Sequence, residues 1–260
     1  MKDQLNRIIK INNTPKRIIS LVPSQTELLV DLGLENSIVG ITKFCIHPIN
    51  LKKDKTIVGG TKNINIYKIK SLRPDIILCN KEENTKEIVE SCQKIAHTHV
   101  SELYTLNDTK KLIIEYGSIF NKRKEAKSII EQIDHKKNKL EILIENSPVK
   151  KVAYFIWKKP WMVAANKTFI NHILELNKFD NVFKNSERYP EVNIQELVNK
   201  KDLDIIFLSS EPYPFNEKHI LEIEKITNTK TILVDGEMFS WYGSRLLKAF
   251  DYFKELRQQI

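Results

Sequence analysis

The sequence predicts an α/β protein of two similar lobes, each with a mostly parallel sheet, bridged by one long backbone helix. Three observations predict this. Short β-rich runs alternate with helical segments in both halves, the rhythm of layered parallel sheets. A helix feeding an Asp-Ile-Ile strand over residues 66–78 returns, slightly longer, over 194–208. Between the two, residues 121–145 are a largely polar stretch in which apolar Ala126, Ile129, Ile130, Ile133, Leu140, Leu143 and Ile144 are spaced three and four apart. That spacing buries one stripe of a helix and solvates the rest, and 25 such residues extend about 37 Å at 1.5 Å each. The lobes are then residues 1–120 and 148–260, the second ending in a terminal helix, with 121–147 as the bridge.

The elements follow in order. Residues 17–22 read as a strand that Pro23 breaks. Ser24-Gln25-Thr26-Glu27 has the form of a capping box, with Ser24 accepting from the N3 amide and Glu27 reaching back. Leu28, Leu29 and Leu32 continue a helical stripe, and Gly33 suits its C′ position. Residues 37–42 are a second strand. A helix over 66–72 stops before Pro74, and 75–79 is a buried-type strand. Helices over 84–95 and 107–120 flank a weaker strand at 97–100. Pro148 closes the long helix, 151–157 opens the second lobe, and a last helix covers 244–256.

Composition excludes several classes. The chain has 260 residues, 41% of them hydrophobic, which is too apolar for disorder and enough for a substantial core. Three cysteines, at 45, 79 and 92, exclude a disulfide-stapled scaffold, and no CxxC or CxxH pair marks a structural zinc module. Lys+Arg 42 against Asp+Glu 33 leaves +9. The lysines are scattered without interleaved aromatics, so the charge reads as composition, and no nucleic-acid partner is expected. No apolar run approaches the roughly 20 residues of a membrane span. No signal peptide is visible. The expectation is a cytoplasmic chain as it stands, or a periplasmic or cell-surface one if a leader precedes it.

The ordered motifs resemble a known family. The strand followed by Pro23-Ser24-Gln25-Thr26-Glu27-Leu28, then Val39-Gly40-Ile41-Thr42 with Phe44 and Pro48, then Arg73-Pro74-Asp75-Ile76-Ile77, continue through Pro160, Asn181-Val182-Phe183, Pro190, Asp204-Ile205-Ile206 and Arg245. Together they are similar to the substrate-binding proteins of ABC importers for cobalamin, siderophores or haem, the helical-backbone metal-chelate receptors, and most of all to the cobalamin type. The resemblance covers roughly residues 16–257. It implies the class III substrate-binding fold, a bulky flat ligand in a cleft between the lobes, and binding without conversion. It also implies a monomer, an ABC permease as partner, and no intrinsic cofactor, the metal arriving inside a cobalt corrinoid or other chelate. Family members carry a docking glutamate on each lobe. Tyr67 and Gln195 stand at those positions here, with Glu196 about 100° away around a helix. Cobalamin-type members also carry first-lobe tryptophans near Lys62 and Asn80, both polar in this chain.

Candidate ligand residues fall in loops after strands. In the second lobe Trp157 and Trp161 flank Lys158-Lys159-Pro160, and Phe239 and Trp241 lie in the loop before the last helix; aromatic faces suit a flat macrocycle. Core packing is the plain alternative for each. Glu211-Pro212-Tyr213-Pro214-Phe215 is either a further wall or a proline-stiffened turn. In the first lobe Phe44, Cys45 and His47 form the matching loop. His47 is a candidate axial ligand to the metal of a bound chelate, or a loop histidine packed on Pro48. Lys62, in a Gly59-Gly60-Thr61-Lys62 turn that lacks the ending of a P-loop, and Asn80 are placed to bond corrin amides. Arg245 either meets an acidic ligand group or pairs with Glu27 or Glu237. His97 and His99 share a strand face without a third metal ligand nearby. No GxSxG, HExxH or Cys–His arrangement appears, so no enzyme is expected. The leading reading is a corrinoid-binding protein. The alternatives are a siderophore or haem binder of the same fold, and a cytosolic corrinoid-handling enzyme or factor.

Overall fold

A computed structural model describes residues 1–198 and 202–260. The chain divides into two compact units, Met1–Ile133 with Tyr242–Arg245, and Asp134–Trp241 with Leu246–Ile260.

The first unit is laid down as β1 (Ile18–Ser20), α1 (Pro23–Asp31), β2 (Ile38–Ile41), α2 (Leu51–Asp54), β3 (Thr56–Ile57), α3 (Ile66–Ser71), β4 (Ile76–Asn80), α4 (Lys86–Gln93), β5 (His97–Ser101) and α5 (Leu106–Ile119). The strands form a sheet in the order β3-β2-β1-β4-β5, every neighbouring pair parallel. The chain steps outward from β1 to β3 on one side and then from β4 to β5 on the other. The order therefore reverses between β1 and β4, and the crevice beyond the strand C-termini at such a switch point is where open α/β sheets hold ligands.

Local chemistry explains these elements. Asp75 accepts from the backbone N–H groups of Lys16 and Arg17 at 2.7 and 2.9 Å, and its own N–H donates to Arg17 O. This locks the entrance of β1 beside β4. Asn65, Thr85 and Thr105 cap the helices that follow them. Gly33, at φ 74°, and Leu34 return N–H bonds to Val30 O and Leu29 O, a Schellman ending for α1. The other end of α1 departs from expectation. Pro23 takes the first helical position, so Val22 is the N-cap and no side chain caps the helix. Ser24 lies two residues past the cap, and Glu27 is engaged elsewhere. At the far edge of the sheet the N-terminal segment covers β5. Val100 N–H donates to Asp3 Oδ2, Glu102 N–H to Gln4 Oε1, and Arg7 Nη2 to Thr98 O.

The long helix α6 (Arg123–Ile144) has 22 residues, about 33 Å, and the division between units runs through it. Ala126, Ile129, Ile133, Leu140 and Ile144 are buried along its stripe; Leu143 departs from it and is exposed.

The second unit runs β6 (Lys150–Trp157), β7 (Met162–Val163), α7 (Phe169–Leu176), β8 (Phe179–Asn181), a 3₁₀ turn (Ile194–Leu197), β9 (Ile205–Ser209), α8 (Glu217–Thr227), β10 (Thr231–Val234), α9 (Gly236–Ser240) and α10 (Leu246–Gln259). Residues 199–201, the end of the expected helix before β9, lie outside the described residues. The sheet has the order β10-β9-β6-β7, with β8 parallel to the start of β6 and β7 antiparallel to its end. Asp204 repeats the role of Asp75: its carboxylate accepts from Lys151 N–H at 2.7 Å, and its N–H donates to Lys151 O. The buried aromatics Tyr154, Phe207, Phe239 and Phe253 pack mutually in the core of this unit.

Candidate ligand-binding site

In the second unit, β6 and β7 form a hairpin whose tip carries Trp157-Lys158-Lys159-Pro160-Trp161. The loop after β9 crosses to meet it, tied by Tyr213 N–H to Ile156 O. The two rings at the edge, Trp157 and Tyr213, meet edge to face at 5.6 Å, with Trp157 39% exposed. Behind them Trp161 stacks parallel on Phe215 at 6.2 Å and meets Phe155 edge-on at 5.6 Å. Tyr213 and Phe215 are 4.7 Å apart. His219 backs both rings; its Nδ1 accepts from Asn216 N–H, which turns the Nε2 proton towards Tyr213 Oη at 3.4 Å. Lys158 lies over the Trp161 ring at 5.2 Å and is ion-paired with Glu222. The two tryptophans of the hairpin and the proline-rich loop thus form one aromatic ledge at the C-terminal edge of the sheet.

Glu211 begins that loop. Its Oε1 accepts from Ser240 Oγ and from Trp241 Nε1, each at 2.9 Å, and its backbone O accepts from Ser209 Oγ at 2.6 Å. Burial, with Glu237 and Asp235 nearby, raises its carboxyl above the ordinary glutamate range. Trp241 is buried and oriented by this bond. Phe239 is fully buried against Tyr154, Phe207 and Phe253. The structure therefore places Phe239 in the core rather than on a ligand wall, because its ring completes the aromatic packing with Tyr154 of β6, Phe207 of β9 and Phe253 of α10.

In the first unit, Phe44 is 48% exposed after β2, with Lys43 over its ring at 5.0 Å. It lies against the β3 turn: a Cβ at Gly60 would come 3.2 Å from its Cε2. His47 is half-buried in the same loop. Lys62 is exposed, its Nζ donating to Glu82 O at 2.7 Å. Three further candidates face inward. Cys45 is fully buried, its Sγ 3.1 Å from Thr26 Oγ1 and 3.3 Å from Thr42 Oγ1. Burial raises its thiol, partly offset by those hydroxyls. Asn80 is buried; its Oδ1 accepts from the N–H groups of Glu82 and Glu83, and its Nδ2 donates to Ser101. It shapes the loop after β4 and has no amide left for a ligand. Arg245 is buried with its Nε donating to Glu27 at 2.8 Å. Its Nε is engaged in the ion pair, the structural alternative its sequence position allowed.

Beneath these loops lies a polar network that sequence reasoning did not find. Gln25 Nε2 donates to Ser101 Oγ at 2.6 Å and to Tyr242 Oη at 3.0 Å, while Tyr116 Oη donates to Gln25 Oε1 at 2.6 Å. Burial raises both phenols well above their usual range. His99 is packed in the core with Nε2 3.0 Å from Glu115 Oε2, apart from exposed His97. Among the described residues no group of three or more His, Cys, Asp or Glu side chains is placed to hold a metal ion, and no helix is long and apolar enough to cross a membrane.

Two α/β units with a helix running from one into the other, each gathering aromatic and polar side chains beyond its strand ends, define an α/β ligand-binding protein. Comparison names the group. The family model described as periplasmic binding protein matches residues 18–232, and the chain belongs to that family. An uncharacterized ABC transporter substrate-binding lipoprotein of Bacillus subtilis, YvrC, is 32% identical over 117 residues, which span 45% of this chain and only 36% of that protein. The vitamin B12-binding protein of Vibrio vulnificus is 24% identical over 72% of this chain and 68% of its own. Among solved structures, the periplasmic vitamin B12 binding protein BtuF of Vibrio cholerae superposes with a TM-score of 0.78 at 20% identity, over 95% of this chain and 99% of that one. The periplasmic heme-binding protein RhuT of Roseiflexus sp. RS-1 gives 0.82 at 14% identity, over 94% and 98%. At these identities the solved structures show the fold.

Proposed function

We propose that the chain binds a corrinoid, without converting it, as the substrate-binding component of an ABC importer. The observation that carries this is the aromatic ledge of Trp157 and Tyr213 backed by Trp161 and Phe215, a surface suited to a large planar face. The vitamin B12-binding relatives support the ligand class, and the lipoprotein relative and the periplasmic proteins among the solved structures support a place of work outside the cytoplasmic membrane. Phe44, His47 and Lys62, exposed or half-buried on strand-end loops of the first unit, supply further contacts. The protein acts as a monomer with no cofactor of its own. Cobalt arrives as cargo, with His47 as its axial ligand. The permease docks without the two usual carboxylates, since Tyr67 is 87% exposed on α3 and Gln195 is exposed on the 3₁₀ turn.

Native mass spectrometry after incubation with cyanocobalamin, cobinamide, haemin and ferric siderophores tests the reading. One corrinoid per chain, returned unaltered, is the expected result; capture of haemin or a siderophore with refusal of both corrinoids overturns it. The haem alternative draws on the architecture shared with RhuT. Trp157→Ala should weaken corrinoid binding about tenfold, by analogy with the loss of a ring–ring contact and its buried area. His47→Ala should shift the visible spectrum of bound cobinamide.

A further inference from the structure

We propose that Glu211 selects the ligand's periphery, favouring a macrocycle edged with hydrogen-bond donors, primary carboxamides above all, over one edged with carboxylates. The inference rests on the corrinoid reading and sharpens it. Glu211 is held from three directions. Ser209 Oγ donates to its backbone O, and Ser240 Oγ and Trp241 Nε1 both donate to Oε1. Oε2 accepts no hydrogen bond among the described residues, and no Lys, Arg or His pairs with the carboxyl there. A half-buried carboxyl with one oxygen held by two donors and the other open to solvent presents an acceptor to an incoming ligand.

Position makes that acceptor relevant to a ligand. Glu211 lies two residues before Tyr213, whose ring forms the edge of the aromatic ledge with Trp157. A planar ligand stacked on the ledge brings its rim to this loop. A primary amide on that rim donates its N–H to Oε2. A carboxylate there meets Glu211, whose own charge acts against it by like-charge repulsion. Burial raises the Glu211 carboxyl, which is consistent with a site lacking a neutralising cation. Trp241 gains a function here: a positioning residue whose indole N–H fixes the carboxyl.

The test is calorimetric titration of the purified chain with dicyanocobinamide and with haemin, comparing wild type, Glu211→Gln and Glu211→Ala. Glutamine keeps an oxygen for Ser240 and Trp241 and puts an NH₂ where Oε2 stands, so the fold is retained and only the outward chemistry inverts; an unchanged circular dichroism spectrum and a single cooperative melt confirm this. Both substitutions should weaken cobinamide about tenfold or more. Glu211→Gln should also move the haemin-to-cobinamide affinity ratio at least tenfold towards haemin. Cobinamide affinity within twofold of wild type in Glu211→Gln overturns the inference and leaves the corrinoid reading intact. Wild type that binds neither cobinamide nor cobalamin overturns the corrinoid reading and this inference with it.

Discussion

Arg245 and Glu27 form an ion pair at 2.8 Å with side chains only 3% and 6% exposed. Removing one partner of such a pair leaves the other charge desolvated, which costs about 3–5 kcal/mol, whereas replacing both by apolar groups of similar volume is often neutral. Arg245→Ala should therefore lower stability by about that amount in urea denaturation, and the Arg245→Met/Glu27→Met double variant should recover most of it. A double variant as unstable as the single would show that the pair contributes beyond its own desolvation. Glu211 poses the opposite problem, a half-buried carboxyl that no Lys, Arg or His pairs with among the described residues. Its pKa in the folded chain is raised above the ordinary 4.5. Its contribution is thus fully present below that value and is lost as pH rises through the folded pKa. The melting temperature of Glu211→Gln should gain on wild type as pH rises above 4.5, and a constant difference across that range would contradict the assignment.

The N-terminal segment shows how an element is made by side chains instead of a ladder. β5 is an edge strand, and an uncovered edge invites pairing with other chains. Asp3, whose side chain is fully buried, accepts from the N–H groups of Leu5, Arg7 and Val100 and from the Arg7 guanidinium. Asp3→Ala should cost at least about 2 kcal/mol, since it strands buried donors, and should speed hydrogen exchange at the Val100 amide. Unchanged protection there would show that the segment does not guard the edge. No pattern in the sequence marks this device, because its partners lie 97 residues apart and none sits on a periodic face. The short strands β3, β7 and β8 escaped for a related reason: two or three residues carry no measurable alternation. The turn at Lys158-Lys159-Pro160 likewise lacks the Asn-Gly or Asp-Gly pair that announces a hairpin, so Trp157 and Trp161 were legible as loop aromatics but not as two ends of one tip. The apparent capping box failed on one atom, the missing N–H of Pro23, which makes proline acceptable at N1 and moves the cap back to Val22.

At the scale of the whole chain, the repeated Asp-Ile-Ile strand was readable because it has one mechanical purpose in both units. Asp75 and Asp204 each fasten the start of a neighbouring strand through its backbone amides. The candidate site was readable only by location, since most of the proposed residues sit in loops after strands, while burial separates Trp157 and Phe44 from Cys45, Asn80, Phe239 and Arg245. That separation leaves the share of each unit in binding as the decisive question, and ligand linkage answers it. A ligand that binds only the native chain stabilises it by about 2.7 kcal/mol at a free concentration 100 times Kd. For a chain of this size that corresponds to a rise in Tm of about 5 °C. Dicyanocobinamide should produce this rise, and hydrogen exchange measured alongside should show new protection at Trp157, Trp161 and Tyr213. If Phe44 and His47 also contact the ligand, the amides of residues 43–49 in the first unit gain protection at the same ligand concentration. Protection confined to the second unit would remove Phe44 and His47 from the site and with them the axial ligand to cobalt, while leaving the aromatic ledge and Glu211 as the recognition surface.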